Sequence, residues 1–377
     1  MMSLAVRPLL TAPTAIPTPA LLIDLDRVDA NIAAMIAQCG SADRWRPHVK
    51  TAKAAVVMQR YLAQGVTHFK CATTKELAVL LQLGAPDVLL AFPALGATAT
   101  RARALLAAAP ATRGSILVES AAHLEAWQGS GVGVFLDLNP GMDRTGSDPS
   151  AVRDVRALID TVTAAGCEFR GIHWYDGHLA GAAESGRDAV GFAGYDRLLG
   201  LVAALQADGV RIGEIIVAGT PATPVALRYA RWAETGTSVR VSPGTVVFND
   251  RTSLAQLPAV WGLTPAATVL TTVVSHPRAG RVTTDAGHKS VSADAGVPTC
   301  VVIGHWDWAP AKPSEEHLPI DLPPGAAVPP IGTMLELLAT HICPTVNNFD
   351  EAVLVRDGRV VGTTPIDARG HDGMVTR

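Results

Sequence analysis

No stretch of this sequence stays apolar for the roughly 20 residues that a bilayer-crossing helix needs, so no membrane span is expected. Charge is sparse: 17% of the 377 residues are charged and the net charge is −3. No basic stripe with interleaved aromatics appears, and nucleic acid is not an expected partner. The cysteines are few, odd in number and scattered: Cys39, Cys71, Cys167, Cys300 and Cys343. That argues against a disulfide framework and for a reducing compartment. The first twenty residues, "MMSLAVRPLLTAPTAIPTPA", are broken by prolines and lack the apolar core of a signal peptide. No G-x-G-x-x-G follows the first apolar run, which weakens a dinucleotide-binding reading. Internal repeats and a low-complexity tail are also missing. These absences leave a soluble, cytoplasmic, globular protein as the expectation.

What is present is alternation. From about residue 20 to 245, short apolar runs trade places with helical patterns. "ALLIDL" (20–25) reads as a strand, and "DRVDANIAAMIAQC" sets Val28, Ile32, Met35, Ile36 and Cys39 on one helical face. "WRPHV", "HFKCAT", "DVLLAF", "SILVES", "GVFLDL", "FRGIHW" and "EIIVAG" read as further strands, with helical stretches between most of them. Repeated β-then-α units suggest a closed parallel barrel or an open doubly wound sheet, and the strand count favours the barrel. After about residue 250 the pattern turns β-rich. "EAVLVRDGRVVGTT" reads as a hairpin on Asp357-Gly358, and "PSEEHLPIDLPPGAAVPP" as a proline-rich loop. The expected fold is α/β: a (β/α)8 TIM-type barrel over residues 18–250, followed by an all-β C-terminal domain over 251–377, with residues 1–17 packed on it.

In such a barrel the chemistry gathers just after the C-terminal ends of the strands. Lys50 follows "RPHV" there. Its neighbourhood, "RWRPHVKTAK", holds four basic residues and a histidine, and the plain alternative is a solvated basic loop. Arg144 lies after "VFL", and Tyr175, Asp176 and His178 form "YDGH" after "GIHW". Gly219 and Thr220 follow "EIIV", and Gly244 and Thr245 follow "VRV". Glycine and threonine in such loops suit a phosphate, because backbone N–H groups approach closely and the hydroxyl adds a donor. A phosphate site beside a lysine at a barrel mouth suggests pyridoxal 5′-phosphate, with Lys50 as the Schiff-base amine.

The ordered set "RPHVKTAK", "DRTG", "YDGH", "GTPAT", "SPGTVVFND", "DAGHKS", "EEH" and "HICPTVN" resembles the D-threonine aldolase and D-serine dehydratase family, fold-type III pyridoxal phosphate enzymes with an alanine racemase-like barrel. The resemblance runs from about Thr18 to the C-terminus. It implies Lys50 as the cofactor's lysine, Arg144 at the phenolic oxygen, Tyr175 as a further cofactor contact, and Gly219, Thr220, Gly244 and Thr245 at the phosphate. Ala52 stands where the family has a histidine, Val246 where it has a tyrosine, and "GTPAT" where it has G-T-P-T. The resemblance also implies a homodimer.

His341 and Cys343 stand two apart in a strand-like segment, where i and i+2 share a face. Nitrogen and thiolate ligands suit zinc, and imidazole suits other divalent metals. On spacing alone a buried cysteine beside a satisfied histidine is the better reading. The resemblance points to a divalent ion, Mn2+, Zn2+ or Mg2+, with His317 as an outer contact or a plain loop residue. The reaction it implies is retro-aldol cleavage of a D-β-hydroxy-α-amino acid, D-threonine giving glycine and an aldehyde (acetaldehyde), with His178 as the base for the hydroxyl proton. The alternatives are a D-serine/D-threonine or 3-hydroxy-D-aspartate dehydratase, an amino-acid racemase, and a non-catalytic pyridoxal phosphate carrier.

Overall fold

The apolar run near the head of the chain forms strand β1 (Ala20–Asp24). The runs after it form β2 (His68–Cys71), β3 (Asp87–Leu90), β4 (Arg113–Val118), β5 (Gly133–Leu138), β6 (Glu168–Trp174), β7 (Glu214–Val217) and β8 (Ser238–Val241). This is a computed structural model, and it describes residues 6–12 and 16–373. Strands β2 to β8 make one parallel sheet in sequence order, with helices between them. The helix Thr74–Gln82 shows how locally these elements are set: the Thr73 hydroxyl accepts the Glu76 N–H and caps the first turn.

The segment 45–49 runs between the two edge strands of this sheet. Trp45 bridges Val241 of β8, and His48 bridges Lys70 of β2, both in parallel sense. The Arg46 N–H donates to the Val241 carbonyl at 2.9 Å, and the Lys70 N–H donates to the Pro47 carbonyl at 2.9 Å. Of the eight barrel strands expected from the sequence, seven form the regular sheet, and segment 45–49 makes only isolated bridges to its two edges. Pro47 has no N–H to give, so the segment makes isolated bridges rather than a ladder.

The chain divides into two compact units. One holds Ile36–Lys50, Tyr61–Gly244 and the described part of His371–Arg377. The other holds the described part of Met1–Met35, with Thr51–Arg60 and Thr245–Gly370.

Inside the first unit the sheet encloses a layer of charge. Arg46, fully buried, is bidentate to Glu214 (2.8 Å to each oxygen) and donates to Asp87 at 2.8 Å. Arg170 pairs with Asp87, and Arg240 with Glu214 at 3.0 Å. The Phe135 ring lies against this layer, 5.7 Å from the Arg46 guanidinium carbon and 5.2 Å from that of Arg170. Phe135 then packs with Leu89, Leu117 and Ile216. Burying so many charges is tolerable because they are paired and hydrogen-bonded.

The second unit is built on a nine-stranded sheet. It contains β1 together with β9 (Ala267–Arg278), β10 (Arg281–Thr284), β11 (Cys300–Val302), β12 (Ala309–Pro310), β13 (Leu318–Asp321), β14 (Met334–Ala339), β15 (Glu351–Arg356) and β16 (Arg359–Pro365). Strand β1, expected at the head of the barrel, instead pairs antiparallel with β9 and parallel with β15. Its residues after Ala20 are buried on both faces, and such a run carries no alternation to say which sheet it joins. β13 lies within the proline-rich segment expected to be a loop; Leu318 and Ile320 are buried while Pro319 and Asp321 are half-exposed. The hairpin β15–β16 turns at Asp357 and Gly358, with φ of 48° and 71°, as its sequence requires. Among the described residues no helix is long and apolar enough to cross a membrane.

Candidate active site

Within the first unit the Tyr175 ring is a meeting point. It follows β6 directly. The Arg144 guanidinium carbon lies 4.6 Å from its centroid, and the Lys50 amine lies 6.0 Å from it. Cations over an aromatic face are held by its quadrupole. A Cβ at Gly219 would come within 2.9 Å of the same ring, so β7 can approach Tyr175 only with glycine there. Ala218, one residue earlier, is held at φ 59°, a left-handed conformation that costs an alanine about 1 kcal/mol. A Cβ at Gly244 would sit 2.2 Å from the His48 carbonyl oxygen, two residues before Lys50. Thr220 is buried in the turn that opens after Gly219. Of the residues singled out in sequence, the structure therefore gathers Lys50, Arg144 and Gly219 around Tyr175, with Gly244 against the strand end that carries Lys50.

His178 lies in the turn Gly177–Gly181 that follows. Its Nδ1 is buried and has no hydrogen-bond partner. Burial, and then the charge of Arg197, lower its pKa, with Asp143 opposing, so the ring is neutral at neutral pH and able to take a proton. Asp176, just before it, receives the Tyr195 hydroxyl at 2.5 Å, while its other oxygen has no partner. Burial raises this carboxyl to about 6.

In the second unit, His341 ends an extended stretch and caps the short helix Ile342–Asn347, whose first turn contains Cys343. The strand expected across both residues stops at Ala339. The cause is distant in sequence: the Asp250 carboxylate accepts the Ile342 N–H at 2.9 Å, and the Thr345 hydroxyl bonds back to the His341 carbonyl. The two side chains meet nonetheless. Their hydrogen bond is the largest influence raising His341 to about 9; burial opposes it and Asp294 adds to it. Asp294 accepts from His341 Nδ1 at 2.6 Å. The Cys343 sulfur lies 3.0 Å from the Thr51 hydroxyl and 3.5 Å from that of Thr245. Among the described residues no three His, Cys, Asp or Glu side chains are grouped to hold a metal ion. His317 lies at an exposed turn, its carbonyl accepting the Ser314 N–H.

The sequence model of the alanine racemase N-terminal domain matches residues 23–251, and that of the "Putative serine dehydratase domain" matches 266–355. The chain belongs to the alanine racemase N-terminal domain family. Its similarities extend over nearly the whole length. D-threonine aldolase of Arthrobacter sp is 28% identical over 369 residues, covering 94% of this chain and 93% of that protein. The crystal structure of D-threonine aldolase from Filomicrobium marinum matches with a TM-score of 0.84 at 26% identity, covering 94% of this chain and 95% of that one. D-threo-3-hydroxyaspartate dehydratase from Delftia sp. HT23 matches with a TM-score of 0.79 at 25% identity, covering 95% and 99%.

This member of the alanine racemase N-terminal domain family also holds a buried polar chain that its sequence did not announce. The Lys70 amine, on β2, lies 5.6 Å from the Tyr175 centroid and 3.1 Å from Nε2 of His173 on β6. His173 Nδ1 donates to Asp137 on β5 at 2.7 Å, and Asp137 also accepts the Thr145 hydroxyl at 2.7 Å. Burial works against the Asp137 charge, but these donors outweigh it and hold the carboxyl below its usual range. Arg170 and His173 both point inward although three residues apart. An extra residue in β6 opposite Val134–Phe135 shifts the alternation there. That bulge, and the spread of the chain over three strands, leave no local sequence signal.

Proposed function

We propose that this protein is a pyridoxal 5′-phosphate- and divalent metal-dependent lyase that cleaves D-β-hydroxy-α-amino acids by retro-aldol reaction, turning D-threonine into glycine and acetaldehyde, and that it works as a homodimer. The observation that carries the reading is the convergence of the Lys50 amine, the Arg144 guanidinium and Gly219 on Tyr175. The cofactor's demands fit what is there: an amine to bind its carbonyl, a cation for its phenolic oxygen, and glycines where a Cβ would close the space. Lys50 would hold it, Arg144 and Tyr175 would flank its ring, and Gly219, Thr220, Gly244 and Thr245 would take its phosphate. His341 and Cys343 would supply an imidazole and a thiolate to the metal, and Asp294 on His341 Nδ1 is the outer carboxylate that orients metal-bound histidines.

When bound, pyridoxal phosphate supplies an electron sink at the substrate's Cα, and the metal a Lewis acid at the β-hydroxyl. The rest falls to the chain. His178, neutral through its burial, would accept the hydroxyl proton. Arg144 and the Gly/Thr loops would fix the orientation in which the bond to Cβ is the one that breaks.

A dehydratase is the second reading, favoured by the match to the Delftia enzyme along the whole chain. It would use the same residues, with Lys50 removing the Cα proton instead. Product analysis separates the two. The purified protein, incubated with D-threonine, pyridoxal phosphate and Mn2+, should release glycine and acetaldehyde. A 2-oxo acid with ammonia would replace the aldolase by the dehydratase. Borohydride reduction followed by peptide mass analysis should find the cofactor on Lys50; its absence there would sink both.

A further inference from the structure

The Lys70 amine is 3% exposed at the residue level and is directed at the same aromatic ring as Lys50. Among the described residues no carboxylate pairs with it. Its hydrogen-bond partner is an imidazole. That imidazole is fixed in one tautomer: Asp137 accepts and cannot donate, so Nδ1 of His173 carries the hydrogen and Nε2 presents a lone pair to Lys70. A lysine placed this way is ready to be charged by a proton it receives, and His173 is ready to accept a hydrogen bond from the ammonium that results.

We propose that Lys70 is the proton acceptor for the ammonium group of the incoming amino acid, with Asp137 and His173 positioning it. The proposal rests on the amino-acid-cleaving function argued above. An amino acid arrives with its amine protonated, and that nitrogen must lose a proton before it can act as a nucleophile beside Lys50. In the transfer, an N–H bond of the substrate breaks and its electron pair stays on the substrate nitrogen. The lone pair of Lys70 takes the proton and forms the new N–H bond. The charges that face Lys70 are consistent with an amine that gives up and takes up its proton near neutral pH. Burial and the charge of Lys50 press its pKa down, Arg46 adds to this, and Asp137 and Asp176 oppose it, leaving it at about 7.

Two measurements test this. In cofactor-free protein labelled with 15N-lysine, the Nζ signal that disappears in Lys70→Met should titrate near neutrality. A signal that stays charged beyond about pH 9 would overturn the proposal. In the cofactor-loaded enzyme, Lys70→Met should keep the absorption band of bound pyridoxal phosphate yet lose about 100-fold in kcat/KM for D-threonine at neutral pH. It should then regain about tenfold per pH unit as solution supplies the free amine, and a structural defect would give no such recovery. A wild-type pH profile in this variant would overturn the proposal. Should the variant not fold, Lys70→Arg keeps a hydrogen-bond donor for His173 but is permanently charged and cannot accept a proton, and it should show the same loss and recovery. Failure to find the cofactor on Lys50 in the wild type would instead sink the function argued above, a separate outcome.

Discussion

The charged layer inside the first unit sets up a comparison between two substitutions. Three arginines, Arg46, Arg170 and Arg240, share two buried carboxylates, Asp87 and Glu214, and Arg240 also pairs at 2.8 Å with Asp43, so the charges balance. Glu214→Gln removes a partner of both Arg46 and Arg240 and leaves Arg46 and Arg170 facing Asp87 alone, with Arg240 held only by Asp43. Breaking a buried pair in this way costs about 3–5 kcal/mol. Arg46→Met removes the fully buried guanidinium but leaves each buried carboxylate with an arginine, Glu214 held by Arg240 and Asp87 by Arg170. What it leaves behind is a Phe69 carbonyl without its Arg46 donor and weaker bonds to the two carboxylates, about 1–3 kcal/mol. Urea unfolding followed by tryptophan fluorescence and circular dichroism reads the difference. Both midpoints should fall with little change in slope, Glu214→Gln by more. If Arg46→Met is the more destabilising of the two, the bidentate geometry and not the pairing of each buried charge holds this layer, and the reasoning fails.

Three further outcomes are expected. His178→Ala should cut D-threonine cleavage about 100-fold or more while the bound-cofactor spectrum persists; unchanged turnover would take His178 out of the mechanism. Asp294→Ala removes the carboxylate on His341 Nδ1 and should weaken Mn2+ or Zn2+ binding, measured by calorimetric titration, about 10–100-fold; equal affinity would argue against His341 as a ligand. Asp176 has a folded-state pKa raised to about 6, so the folded protein prefers it protonated. The wild type should therefore lose stability relative to Asp176→Asn as pH rises from about 4 to 6, by about 3 kcal/mol, and lose no more above that. A stability difference that does not change with pH would show that Asp176 titrates normally.

What the sequence could show depended on how far each feature reaches. The strands β2 to β8 and the helices between them are written in local periodicity, and so is the hairpin at Asp357-Gly358, where the turn chemistry is two residues long. Lys50 was legible because one residue type stands at one strand end. β1 was visible as a strand, yet its sheet was not, since a run buried on both faces has no period to read. The short helix carrying Cys343 depends on Asp250, far away in sequence, and Pro344 does not forbid it, because proline fits the first turn of a helix. The Lys70–His173–Asp137 chain lies deepest beyond reach. It takes one residue from each of three strands, and a bulge changes the parity of one of them. A lone lysine in "HFKC" and a lone histidine in "GIHW" look like ordinary strand residues until the sheet sets them 3.1 Å apart. A buried lysine is costly to keep, and a protein that could bury an apolar residue there gains nothing in stability from it. That cost is the physical reason to look for the work of Lys70 in the chemistry at Tyr175 and not in the fold.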